Sequence, residues 1–173
     1  MIRWTERSFS FDFPVTMMPI FLERLRGTNP RLRDFVKNLS PEILLRKNGI
    51  KWNFQEHIGH LLDLDELHDG RLDDFKSGLP VLRAADMKNL KTESAHHDNW
   101  KIEELLNEFE KSRNSFIDRL SNVPPELTSF HPRLQKPMRV VDMAFFVCEH
   151  DDHHIALMRE LYHSNFISQK RKV

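Results

Sequence analysis

Three histidines, His60, His150 and His154, are the residues whose type and spacing point most directly to chemistry. On a helix advancing about 100° per residue, Met143, Phe146, Val147, His150, His154, Leu157, Met158 and Leu161 share one stripe, and the histidine pair lies inside it. An imidazole buried without a partner costs roughly 1–3 kcal/mol per unsatisfied group. Two of them one turn apart therefore call for a common acceptor or a shared cation. His60 sits on or beside the apolar face of a second helical pattern and would bring a third nitrogen. Three neutral imidazoles around a divalent ion leave a coordination position open, which is the arrangement of catalytic rather than structural zinc sites. Such an ion acidifies water toward a pKa of about 7 or holds a thiolate, so hydrolysis and sulfur transfer are the reactions in reach.

The neighbouring residues offer competing readings. His57 points nearer the centre of its own helical face than His60 and rivals it as the third ligand. His153 lies about 60° to the side of His150 and reads as a partly exposed helix residue. Asp63, just short of one turn beyond His60, could orient that ring or act as an acid or base, against the plainer reading of a solvated carboxylate. His96, His97, His131 and His163 fall in loops or near the end and read as surface residues. The only cysteine, Cys148, cannot form an internal disulfide and reads as a buried apolar residue pointing about 160° from His150.

Other site chemistries lack their residues. A zinc-protease H-E-x-x-H motif needs Glu directly after the first His, and Asp151 follows His150. A di-iron carboxylate bundle needs Glu-x-x-His motifs on two facing helices, and Glu93 with His96 lies in a polar interval rather than on one. There is no glycine-rich phosphate loop, G-x-S-x-G elbow or Cys-x-x-Cys pair.

These histidines need elements that hold them. Pro14 opens a first helical pattern through Met18, Phe21, Leu22 and Leu25 to Gly27, and Asn29-Pro30 restarts it through Leu32, Phe35, Val36 and Leu39 to Ser40-Pro41. Asn53 and Glu56 have the spacing of a capping box, and the second helix follows through Phe54, Ile58, Leu61, Leu64, Leu72 and Phe75 to Gly78. Residues 79–100 read as a long crossover loop and a candidate lid. A third helix spans about 101–121, with charges on its outer face, until Pro124-Pro125. Residues 126–138 read as loop, and the fourth helix spans about 139–162. Phe9, Phe11 and Phe13 alternate like a strand, but with no partner strand in sight they are expected to form an arm packed on the bundle. The expected fold is all-α, a four-helix bundle with long crossover connections and facing helices that can supply metal ligands. One domain over 1–173 is expected, with an N-terminal arm at 1–13 and a C-terminal tail at 164–173.

Composition narrows the partners. The 173 residues carry 26 basic and 26 acidic groups, so no net field draws the chain to nucleic acid or an anionic membrane. No run of about 18 apolar residues could span a bilayer, and residues 1–7 lack the apolar stretch of a signal peptide. The default expectation is a cytoplasmic protein of small-molecule substrates. Lys170-Arg171-Lys172 reads as a solvated tail, and a homodimer is the default assembly.

Taken together, the motifs resemble the DinB/YfiT-like superfamily of metal-binding four-helix proteins. Members carry a Trp, a capping Ser or Thr, a Glu three residues after the cap, and then His-Leu followed by acidic residues. Here these correspond to Trp52, Asn53, Glu56, His60-Leu61, Asp63 and Asp65. Near the end, members show His-x-x-His-His, matched by His150, His153 and His154. The resemblance implies that His60 rather than His57 joins His150 and His154 as metal ligand, for zinc, nickel, manganese or iron. It also implies a metal-dependent hydrolase or a transferase with a low-molecular-weight thiol as co-substrate. Two departures stand out. Asn53 replaces the hydroxyl cap, at little cost because Asn caps equally well. Leu157 stands where many relatives place Gln, which weakens transfer of substrate class and leaves a competing expectation, a binding or stress-response module with a structural metal or none. A partner-docking protein, the third reading, requires an exposed patch at Phe9, Phe11 and Phe13.

Overall fold

A computed structural model describes residues 1–49 and 51–164. The helices are α1 (Met18–Arg26), α2 (Thr28–Val36), α3 (Pro41–Leu44), α4 (Phe54–Lys76), α5 (Leu90–Ala95), α6 (Ile102–Ser121) and α7 (Val140–Tyr162), with a hairpin β1 (Thr128–His131) and β2 (Lys136–Arg139). Helix α1 and its continuation α2 form the first bundle member; α4, α6 and α7 are the others. Helix α4 packs on α6 and α7, and α1 packs on both α7 and α6. The four-helix expectation stands. No helix among the described residues is long and apolar enough to cross a membrane.

Local chemistry fixes the helix ends. The Glu56 N–H donates to Asn53 Oδ1 at 2.9 Å and the Asn53 N–H to Glu56 Oε2 at 2.8 Å, a complete capping box. Asp142 plays the reciprocal part for α7, accepting from the Arg139 N–H at 2.7 Å. Helices α1 and α2 meet at Gly27 with hydrogen bonds running almost unbroken across the joint.

The core is two apolar clusters with a polar layer between them. One contains Phe21, Leu25, Leu72, Phe116, Met143 and Val147. The other contains Leu32, Phe54, Ile58, Leu105, Phe109 and Met158. At mid-height each helix turns a polar residue inward: Thr28, Asp65, Arg113 and Asp151, all nearly inaccessible to water. Arg113 donates Nε to Asp65 at 3.0 Å and Nη2 to Asp151 at 3.2 Å, with a shorter Nη1 bond to Asp151, and Thr28 Oγ1 donates to Asp151 at 2.7 Å. Burial opposes the charge of Arg113, but Asp151 and Asp65 more than restore it.

Two sequence expectations require correction. Residues 126–138 contain a strand pair, with Ser129 opposite Met138 and His131 opposite Lys136, reversed through Gln135 in the left-handed region (φ 53°). Phe130 also bridges Val81, which tacks the crossover onto the hairpin. The interval 79–100 is not structureless, since α5 and a 3-10 turn at His97–Asn99 lie within it. The aromatic arm is as expected: Phe9 is buried in the first cluster and Phe11 and Phe13 pack against it, so no exposed patch of these rings exists for a docking partner. The basic segment 170–172, and the tail beyond Ser164, lie outside the described residues.

Candidate metal centre

The polar layer extends toward one side of the bundle as a cluster of imidazoles. His60 comes from α4, with His150 and His154 from α7; each offers a ring nitrogen, and these lie within 4.8 Å of one another, all three residues being buried. His150 Nε2 and His154 Nε2 are 3.2 Å apart. That is near the roughly 3.3 Å separating two ligands about 2.0–2.1 Å from a tetrahedral zinc. Burial first, and the mutual influence of neighbouring rings second, pushes His57 down to about 3, and burial pushes His60 down to about 4. Burial holds His150 and His154 well below the usual histidine range as well. The rings are therefore neutral at pH 7, the form that ligates metal.

Hydrogen bonds fix which nitrogen of His60 is free. Thr92 Oγ1 donates to Asp63 Oδ2 at 2.8 Å, so at its 3.1 Å contact with His60 it accepts the Nδ1 proton, and the lone pair of His60 is left on Nε2. His97 Nε2 donates to the same Asp63 oxygen at 2.9 Å. On the far side, His154 Nδ1 stands 2.9 Å from His57 Nδ1. The two rings share one proton across this contact, which holds the His154 ring in place beside the cluster. This outer ring of groups is the arrangement that orients metal-binding histidines and raises their basicity.

The positioning of the outer ring depends on a close approach. A Cβ on Gly59 would stand 2.1 Å from the His97 ring, so only glycine lets the turn after α5 press onto α4. Gln55 holds that turn by donating to the carbonyls of His97 and Trp100, both at 2.9 Å.

Four sequence readings change here. Asp63 is buried and committed to Thr92 and His97, not solvated. His153 is buried beside the cluster, its ring 5.7 Å from that of His154. His97 and His131, read as surface residues, are 3% and 2% exposed. Cys148 is buried, as expected, and His96 and His163 are exposed. Thr92 and the partnership of Arg113 with two aspartates were missed. The first gave no sequence signal, while Arg113 falls on the apolar stripe of α6, four residues after Phe109 and three before Phe116.

The cluster opens into a cavity of about 580 Å³, large enough for a small organic substrate. Trp52 and Trp4 flank it, with centroids 4.7 Å from His60 and 4.8 Å from His150. Leu157 contributes an apolar stretch of wall.

The sequence model of the DinB superfamily matches residues 24–158, a span that starts in α1 and includes all three histidines. No curated protein matches the sequence. Among solved structures the chain is similar to YfiT from Bacillus subtilis, described as a probable metal-dependent hydrolase with an unusual four-helix bundle topology. The two share 16% identity and a TM-score of 0.78, with 92% of this chain and 93% of that one covered, a likeness of fold. With the match covering most of its length and the bundle in place around the histidine cluster, the chain belongs to the DinB superfamily.

Proposed function

We propose that this protein is a metal-dependent enzyme of small molecules, hydrolytic in its primary reaction, with His60, His150 and His154 as metal ligands. The observation that carries the reading is the pinned tautomer of His60 within a cluster of three buried imidazoles. Thr92 occupies Nδ1 of His60, so that its bare Nε2 is left for the cluster it forms with His150 and His154 at the wall of a substrate-sized cavity. A divalent cation supplies Lewis-acid chemistry, acidifying a water or thiol and polarising a carbonyl. Imidazole nitrogen accepts zinc, nickel, manganese or iron.

The chain's own groups then have separable tasks. Thr92 keeps the proton of His60 on its outward nitrogen, and the contact with His57 orients the His154 ring. Asp63 acts through Thr92 as a positioning residue, its Oδ2 accepting from both Thr92 and His97. Trp4, Trp52 and Phe146 line the cavity and exclude water around the reacting group. A low-molecular-weight thiol is the second nucleophile that the same volume accommodates.

Protein purified without a histidine tag is expected to hold stoichiometric metal by elemental analysis, and to lose it in the His150→Ala/His154→Ala variant. Metal-loaded protein is then screened with small esters and amides, with and without cellular thiols. Metal retained by the double variant refutes the ligand set. Full loading with no turnover, and a large fall in melting temperature on chelation, favours the competing reading of a metal that only stabilises the bundle.

A further inference from the structure

The cavity has a second polar wall that the histidine cluster does not use. Arg71 of α4, His131 at the end of β1 and Arg133 in the hairpin turn all line it. His131 Nδ1 accepts the Leu134 N–H at 3.2 Å, so the neutral ring carries its proton on Nε2. That nitrogen is buried with no hydrogen-bond partner among the described residues, and the same is true of Arg133 Nη2. The Arg133 guanidinium lies over the rings of Trp4 and Phe146, 5.9 and 5.7 Å from their centroids. Arg71, 1% exposed, gives Nε and Nη2 to the Arg83 carbonyl at 3.1 Å. The nearby carboxylate of Asp74 is occupied by the Arg83 side chain. Burial first, and the charges of Arg71 and Arg133 after it, pushes His131 down to about 3.

The acids on the cavity wall do not compensate these groups. Asp86 receives the backbone N–H groups of Lys88 and Leu90, and Glu160 faces the Met1 amine at 3.3 Å. Buried donors without acceptors are costly, and guanidinium is the side chain best shaped to hold a planar or tetrahedral oxyanion. Trp4 touches both Arg133 and His150, so about one aromatic ring separates this wall from the histidine cluster.

The geometry points to an oxyanion subsite in which Arg133 and His131, backed by Arg71, bind a carboxylate or phosphate group of the substrate while its reacting bond faces His60, His150 and His154. The substrate class is thus a small organic acid or phosphate ester rather than a neutral molecule. This deepens the proposed enzymatic reading and rests on it for the position of the reacting bond, but anion binding itself can be measured without a metal.

Isothermal titration of acetate and of inorganic phosphate into the full-length protein, metal-loaded and chelated, tests the subsite. Saturable binding of at least one anion is expected in both forms, with the tighter of the two identifying the group. Arg133→Ala should weaken it by at least about tenfold, the scale of a charge-assisted hydrogen bond. Arg133→Gln, which keeps a stem packed on Trp4, serves the same purpose if the alanine variant fails to fold. Arg26→Ala, on an exposed arginine paired with Glu23, should leave binding unchanged. Affinity unaltered in both Arg133 variants, or no saturable heat from either anion, overturns the inference. Anion binding by protein that never takes up metal would leave the subsite standing while refuting the metal reading. An active metal enzyme whose anion binding ignores Arg133 would do the reverse.

Discussion

Replacing Thr92 by Val removes one hydroxyl and little else, because the two side chains are close in volume and both branch at Cβ. Thr92 is 5% exposed, and its oxygen accepts from His60 Nδ1 while donating to Asp63. Asp63 keeps His97 as a donor, so the loss falls mainly on His60, left with a buried N–H and no acceptor. One such group costs about 1–3 kcal/mol. At roughly 2–4 °C per kcal/mol for a chain of this size, the melting temperature should fall by about 2–12 °C. The more telling effect is on metal. A lost outer partner of a ligating histidine lowers affinity by about 10–100-fold, measurable by competition with a chromophoric chelator. Thr92→Ser restores the hydroxyl and should recover most of that affinity. A valine variant that binds metal as tightly as the parent, or a serine variant no better than valine, would refute the relay from Asp63 through Thr92 to His60.

Three further outcomes follow from the same geometry. Arg113→Met leaves Asp65 and Asp151 buried without their cation and should cost about 3–5 kcal/mol in denaturant unfolding; a change under about 1 kcal/mol would show that the layer is not held by charge. Gly59→Ala should displace His97 from Asp63 and weaken metal binding, since the new methyl would meet the ring; wild-type metal affinity in this variant would count against the outer ring. Metal-free protein should lose stability as pH falls below about 6.5, because His57, His131 and His60, held at about 3, 3 and 4, stay neutral while the unfolded chain takes up protons. Melting temperatures that stay flat between pH 7 and pH 4.5 would contradict that assignment.

The parts of the fold legible in the sequence were those encoded locally. Asn53 with Glu56 announces where α4 begins, and the 3.6-residue recurrence of Phe, Leu and Met marks α6 and α7. His150 and His154 were legible for the same reason, an imidazole on an apolar stripe being a local contradiction, whereas the choice of His60 over His57 came from the family resemblance. What escaped depends on distant chain segments meeting. The hairpin has only four residues in each strand, and Pro137 breaks the strand pattern. His97, His131 and Thr92 stand in connections whose burial is decided by the surfaces they fold onto, which no window of sequence contains. Arg113 was an overlooked local signal, a charge set among Phe109, Phe116 and Leu120 on the inward side of its helix. His57 shows the limit of the helical wheel: it does face the cluster, but its contact is with a ligand candidate rather than with the centre.

The two indoles beside the histidines give the protein an optical readout of its own. Trp52 adjoins His60 and Trp4 adjoins His150, whereas Trp100 is 39% exposed and stands outside the cavity wall. A paramagnetic ion such as nickel, captured between them, would quench the emission of the first two and spare the third. Occupancy could then be followed in real time, without dye or label, and single Trp→Phe changes would tell from which side the light is lost.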